Sequence, residues 1–132
     1  MQAITQAAEK WFTSRGIDPE TVVREGIGCT DDGSEIVFPY TERGAVVNRK
    51  YRGRGKTFRQ DAGAVQTWWG HDVLLEKPER VIIVEGEIDR LTAIECGYAN
   101  VLSVPSGAPQ SETEPEVDAQ PGARYHFIYR TW

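Results

Sequence analysis

Residues 81–84, Val-Ile-Ile-Val, form an apolar run too short for a helix, closed off by Pro78 before it and Gly86 after it. A run of that length between chain breakers reads as a short apolar strand. Past Gly86, the residues Ile88, Leu91 and Ile94 recur at helical spacing as far as Gly97, which suits a helix C-terminus, and residues 101–104 are a second apolar run. Two apolar strands joined by one helix make a βαβ unit, with parallel strands and a right-handed crossover in nearly all cases. An α/β fold is therefore expected. In open sheets of this kind, ligands collect beyond the carboxyl ends of the parallel strands. Glu85 falls there, Gly86 permits the sharp turn, and Glu87 and Asp89 follow within four residues. Three carboxylates crowding one strand-to-helix junction could hold a hard divalent cation such as Mg2+, which prefers oxygen ligands and keeps waters for contact with substrate phosphates. The same acids could instead serve the helix dipole, an effect of about 0.3–1 kcal/mol, and spacing alone leaves both readings open.

Upstream the pattern differs. Ile4, Ala7, Ala8, Trp11 and Phe12 share one face at helical spacing, which predicts a helix over residues 2–14 closed by Gly16. Asp18-Pro19-Glu20 supplies an N-cap, a proline at the first helical position and an acid in the first turn, so a second short helix is expected up to Gly26. The turn residues Asp31-Asp32-Gly33 lead into residues 35–40 and 45–52, two β-prone runs around Thr41-Glu42-Arg43-Gly44 that read as a β-hairpin. Residues 54–70 read mostly as loop, anchored by Phe58, Val65, Trp68 and Trp69. Residues 106–122, with Pro109, Pro115, Pro121 and four acids, read as a solvated loop, and residues 123–132 as the start of another element. The expected organisation is an α+β subdomain over residues 1–75, containing the hairpin, and a second subdomain over residues 76–132 built on the βαβ unit.

The formal charge of −5 hides an asymmetry. Between Arg49 and Arg59 stand six basic residues and no acid, so removing that +6 from the total leaves −11 on the rest of the chain. Strand alternation would put Lys50 and Arg52 on one face and Arg49 and Tyr51 on the other. Such a face, with Arg54 and Lys56 beyond it, can track a phosphate backbone, and an aromatic neighbour adds a stacking surface. The alternative is an edge strand guarded by its charges against aggregation. Cys29 and Cys96 lie 67 positions apart with no CxxC or clustered His beside them, so buried free thiols are expected rather than a disulfide or a zinc site. No apolar run approaches the ~20 residues of a membrane span, and the first residues lack a basic, then apolar, signal; the cytoplasm is the expected compartment.

The stretch Val81-Ile82-Ile83-Val84-Glu85-Gly86-Glu87-Ile88-Asp89, followed by Leu91-Thr92-Ala93, resembles the first Toprim motif shared by primases, topoisomerases and some nucleases. Its Glu-Gly-Glu-Ile-Asp form with Leu-Thr after it is similar to that of ring-forming phage primase-helicases and their Twinkle-like mitochondrial relatives. Residues 101–108 resemble their second strand and small-residue loop. Lys50, Arg52, Lys56 and Phe58 match the basic Lys-x-Arg and Lys-x-Phe of the hairpin that precedes the Toprim part, and Arg15-Gly16-Ile17 matches the opening helices. The resemblance implies a DNA primase: Glu85 as base or metal ligand, Asp89 as a metal-site acid, Mg2+ as cofactor, and Lys50, Arg52 and Lys56, flanked by Arg49 and Arg54, on nucleoside triphosphate and template. The implied partners are single-stranded DNA, ribonucleoside triphosphates and a C-terminal helicase domain. Two parts of the family pattern are missing. No Asp-x-Asp follows Gly122, and no cysteines exist for the zinc-binding module of many phage primases. A fragment that holds Mg2+ weakly and does not synthesise primers by itself is the expectation. The competing readings are a non-catalytic nucleic-acid-binding module of a replicative helicase, which would not need Glu85, and a piece of a Toprim nuclease or topoisomerase, against which the basic hairpin argues.

Overall fold

The computed structural model describes residues 1–106 and 126–131. All of the expected loop over residues 106–122 except Ser106, including the small residues Gly107 and Ala108, lies outside them, as do residues 123–125 and 132. Two sheets carry the fold. The first is antiparallel, in the order β1 (Gly28–Cys29), β2 (Glu35–Glu42), β3 (Ala45–Gly53), β4 (Phe58–Gln60); the second pairs β5 (Ile82–Val84) with β6 (Val101–Ser103). The β5–β6 pair is parallel, with Ile82 opposite Val101 and Val84 opposite Ser103, and α3 (Glu87–Glu95) connects them. This is the expected βαβ unit.

At the start, α1 spans Gln6–Thr13, beginning four residues later than periodicity suggested. Thr5 caps it by accepting the Ala8 N–H at 3.2 Å. Residues before Thr5 are diverted, because Gln2 exchanges two backbone hydrogen bonds of 2.9 Å with Cys29 at the edge of the first sheet. A contact between positions so far apart leaves no periodic trace. The second helix, α2 (Pro19–Arg24), follows its sequence signals closely: Asp18 accepts the Glu20 N–H at 2.8 Å, Pro19 opens the helix, and Gly26 leaves it at φ 74°.

The hairpin between β2 and β3 turns on Arg43 and Gly44, both left-handed at φ 52° and 78°. Such two-residue turns match the twist of paired strands, and only their second position is comfortable here, since glycine has no Cβ. The Asp72 carboxylate holds the turn shut by accepting the Arg43 N–H at 2.7 Å on one oxygen and the Gly44 N–H at 2.8 Å on the other. Asp72 belongs to a 3-10 helix, His71–Glu76, in a stretch whose sequence showed no helical period.

Part of the expected loop over residues 54–70 is a strand. β4 pairs with β3, Arg52 opposite Phe58 and Lys50 opposite Gln60. Three residues without alternation are too few to register as a strand in sequence. The pairing makes β3 an interior strand, and protection of a sheet edge therefore does not explain its charges.

Phe12, Ile17, Val22, Ile27, Phe38, Tyr40, Trp69 and Leu91 form the main core, which joins both helices of the start, the first sheet and α3. Trp68, Leu102 and Phe127 form a second cluster under α4 (His126–Thr131), where the Trp68 indole N–H donates to the Thr131 hydroxyl at 2.9 Å. Arg90 is buried between the sheets. It donates to the Val101 carbonyl at 2.7 Å, pairs with Glu25 and lies 4.7 Å from the Trp69 ring centroid. A Cβ at Gly70 would collide with its guanidinium.

Although apolar, β5 is open: Ile82 and Ile83 are 40% and 50% exposed, and adjacent strand residues point to opposite faces, so both faces of β5 are partly open. One expectation of burial needs correction: of the two free thiols only Cys29 is buried. Cys96 is exposed because it ends α3 on the solvent side.

Candidate nucleotide and nucleic-acid site

Glu85 lies between the last residue of β5 and Gly86, the N-cap of α3, at the carboxyl edge of the parallel pair. Its carboxylate is exposed, as is that of Asp89 one turn into the helix, and neither has a hydrogen bond or ion pair among the described residues. Glu87 behaves differently. It is 6% exposed, accepts the Tyr40 hydroxyl and pairs with Lys50 Nζ at 2.9 Å. The expected crowd of three carboxylates is thus a pair, because helical geometry turns Glu87 inward while Asp89 stays outside. No group of three or more potential ligands lies together among the described residues. Burial, reinforced by the negative charge of Glu87 and by the hydrogen bond that Glu87 accepts from it, pushes the Tyr40 hydroxyl well above its ordinary pKa. Tyr40 accordingly stays a hydrogen-bond donor.

Lys50 reaches this junction from β3. Besides Glu87, its ammonium donates to the Pro105 carbonyl at 2.9 Å, so two of three N–H donors are taken up, and Phe58 lies 5.3 Å away. The salt bridge ties the basic strand of the first sheet to the acidic end of the second. Arg52, two residues on and on the same face, lies between Trp11 at 4.7 Å and Phe58 at 5.2 Å from the ring centroids. Its guanidinium has no hydrogen bond or ion pair among the described residues. Burial first, and Arg15 second, hold its pKa below the usual arginine value, with Glu87 opposing.

The other face of β3 is closed. Arg49 pairs with Asp61 at 3.1 Å, Tyr51 donates to the same carboxylate at 2.8 Å, and Arg59 grips Glu35 through two nitrogens while lying 3.8 Å over the Tyr51 ring. Of the six basic residues, Arg49, Lys50 and Arg59 have carboxylate partners; Arg52, Arg54 and Lys56 have none among the described residues. Those three line a cavity of about 360 Å³ together with Trp11 of α1 and Arg15 of the turn that follows it. The structure thus brings together Arg52, Arg54 and Lys56, gathers Glu85 and Asp89 at the strand end, joins Lys50 to that end, and leaves Arg49 on the far face. Trp11 and Arg15 were legible only as a helix face and a helix end. Nothing in the sequence pointed to the Lys50–Glu87 pair.

No protein-family profile matches the chain. Over 132 residues, 98% of the chain, it is 35% identical to the Twinkle homolog protein, chloroplastic/mitochondrial, of Arabidopsis thaliana. A Primase homolog protein of the same plant is 34% identical over 122 residues, 91% of the chain. The primase fragment of the bacteriophage T7 primase-helicase superposes with a TM-score of 0.62 at 30% identity, covering 72% of this chain and 41% of that one. By sequence and fold, the chain is a primase-type segment. The DnaG catalytic core shares the fold of this primase segment with a TM-score of 0.64, at 15% identity, over 80% of this chain and 49% of that one. The primase segment spans 18% of the length of the Twinkle homolog and 36% of that of the primase homolog. Among its described residues no helix is long and apolar enough to cross a membrane.

Proposed function

We propose that the chain acts in template-directed synthesis of RNA primers during DNA replication, holding nucleotide and template phosphates and contributing two carboxylates to a Mg2+ site. The observation that carries this reading is the meeting of opposite charges at one junction: Glu85 and Asp89 stand free at the carboxyl edge of β5, and the Lys50–Glu87 bridge brings the basic face of β3 beside them. Residues 1–75 form the phosphate-handling subdomain and residues 76–132 the carboxylate-bearing Toprim subdomain.

Glu85 and Asp89 suit Mg2+ as a partial set, since this ion is commonly held by one or two carboxylates together with substrate phosphates. Bound there, Mg2+ would offset the charge that develops on a reacting phosphoryl group. Glu85 serves as ligand or base and Asp89 as a metal-site acid. Arg52, Arg54 and Lys56 neutralise phosphates directly, and Lys50 offers its remaining N–H from a fixed position. Arg49, bound to Asp61, contributes to the surrounding positive field. A T7 structure that aligns at 31% identity holds primase domains and a DNA polymerase with an RNA/DNA hybrid and dTTP, which supports nucleic acid and nucleotides as ligands. The T7 neighbour named as a primase-helicase supports a helicase as partner. The cytoplasm is the proposed compartment, with the chloroplast or mitochondrion, named for one relative, as the competing outcome.

Mn2+, which takes the oxygen ligands of Mg2+ and broadens nearby nuclear resonances, tests the site. With ATP present, the amides of Gly86 and Asp89 should broaden first, and Glu85→Gln should remove that selectivity. Broadening centred elsewhere, or unchanged in the variant, contradicts the assignment.

A further inference from the structure

Thr57 stands at the end of the turn between β3 and β4, behind a run of positive charge. Arg52, Arg54 and Lys56 precede it by five, three and one positions, and no other serine or threonine of the sequence has three basic residues among the five before it. The side chain is exposed. Its hydroxyl makes one long hydrogen bond among the described residues, donating to the Arg54 carbonyl at 3.5 Å, and lies over Gly53, where a Cβ would come 2.3 Å from Oγ1. Gly53 lines the 360 Å³ cavity beside Arg52, Arg54 and Lys56, so Oγ1 sits at the rim of that cavity. The turn is lightly built. A hydrogen bond of 2.8 Å from the Gly53 N–H to the Thr57 carbonyl closes it, β4 beyond it has three residues, and Lys56 holds a left-handed φ of 61° that favours glycine. Opening residues 53–57 into extended chain breaks that bond and relieves Lys56, and segments with so few ties open at small cost in free energy. An exposed hydroxyl in such a turn, with cations at fixed spacings before it, has the chemistry of a substrate for an enzyme whose peptide cleft places carboxylates to match. Charge patterns of this kind are how protein kinases choose their substrates.

We propose that Thr57 is a phosphorylation site for a protein kinase that selects basic residues before its acceptor, and that the added phosphate lowers the affinity of the turn for nucleic acid. Thr57 Oγ1 attacks the γ-phosphorus of ATP, the bond from that phosphorus to the bridging oxygen breaks, ADP leaves with the electron pair, and the hydroxyl proton passes to the kinase's base. The product carries a charge of about −1.5 to −2 at pH 7 and three strong acceptor oxygens. Arg52, Arg54 and Lys56 have no carboxylate partner among the described residues to compete for it, and the paired N–H donors of an arginine suit phosphate oxygens. Cations engaged by the modified threonine are lost to any other anion. The effect on binding rests on the reading that the chain handles nucleic acid; the modification itself does not.

The test exposes the 132-residue chain to ATP and protein kinase B, a kinase selective for basic residues before its acceptor. Mass spectrometry of its peptides should find one phosphoryl group, on Thr57, and Thr57→Val should take up none there. Arg54→Gln should slow the uptake about tenfold, as for one lost charge contact. The phosphorylated chain should then bind a short thymidine oligonucleotide more weakly, with the slope of log K against log salt lowered by about 1–1.4, the added charge at roughly 0.7 per phosphate contact. Unphosphorylated Thr57→Val should bind like the unaltered chain. Phosphate on other residues only, or on none, overturns the site. Phosphate on Thr57 with affinity and slope unchanged, where the unmodified chain binds the oligonucleotide, overturns the effect on binding. If the unmodified chain does not bind the oligonucleotide while Thr57 is modified, the nucleic-acid reading fails and the modification stands. Peptide mapping on the unaltered chain reports even where Thr57→Val does not fold.

Discussion

Glu85 and Glu87 are two positions apart in sequence and have opposite fates. Glu85 has no hydrogen-bond or ion-pair partner among the described residues, whereas Glu87 is turned inward on α3 between the Tyr40 hydroxyl and the Lys50 ammonium. A buried pair of this kind is costly to break, because the partner left behind has lost its water, and removing one member typically destabilises by about 3–5 kcal/mol. Glu87→Ala should therefore lower unfolding free energy by about 3 kcal/mol in urea denaturation. Lys50→Ala should cost a similar amount, and the double variant clearly less than the sum. Glu85→Gln, at an exposed and unpaired position, should stay within about 0.5 kcal/mol of the parent. If Glu85→Gln proved the more destabilising of the two glutamate variants, the assignment of structural and chemical roles would be reversed.

Elements with local causes were legible in the sequence. The βαβ unit followed from two apolar runs around a helical period, α2 from Asp18-Pro19-Glu20, and the hairpin from two β-prone runs around Arg43-Gly44; the structure has all three. The position of Glu85 came with the first of these. What sequence did not show depends on distant partners: the late start of α1, set by Gln2 against Cys29; β4, a strand only because β3 pairs with it; and the cavity, whose Trp11 on α1 and Arg15 in the turn after it are far from β3 in sequence. The β2–β3 turn shows how such a partner acts. Burial pushes the Asp72 carboxyl up, but the neighbouring His71 and the N–H groups of Gly44 and Arg43 outweigh it and hold its pKa below the ordinary value. A carboxylate with a depressed folded pKa adds stability that is present above its unfolded pKa and is lost as pH falls through the folded one. That contribution should fade below about pH 4. Asp72→Asn, which offers one accepting oxygen for two N–H donors, should destabilise by about 1–2 kcal/mol at pH 7 and reduce the acid sensitivity of unfolding. An unchanged acid profile would show that the turn holds without Asp72.

Across the whole molecule, charge is sorted. Arg49, Lys50 and Arg59 are neutralised by carboxylates, while Arg15, Arg52, Arg54 and Lys56 gather around one cavity, and Glu85 and Asp89, at the end of the second sheet, have no partner among the described residues. A chain with a net charge of −5 thus gathers positive charge around that one cavity. Two carboxylates are a sparse set for phosphoryl transfer, and no Asp-x-Asp follows Gly122. Residues 1–132 with Mg2+, ribonucleotides and a single-stranded template should yield no primer, and detectable synthesis would show that two carboxylates suffice. The account stands most directly on the division between paired and unpaired cations. It is tested by the salt dependence of binding to a single-stranded oligonucleotide, comparing Arg52→Ala/Arg54→Ala/Lys56→Ala with Arg49→Ala/Arg59→Ala. At roughly 0.7 per phosphate contact, the first set should flatten the slope of log K against log salt by about two, and the second should leave it nearly unchanged. An unchanged slope in the first set, or an equal loss in the second, would contradict the account.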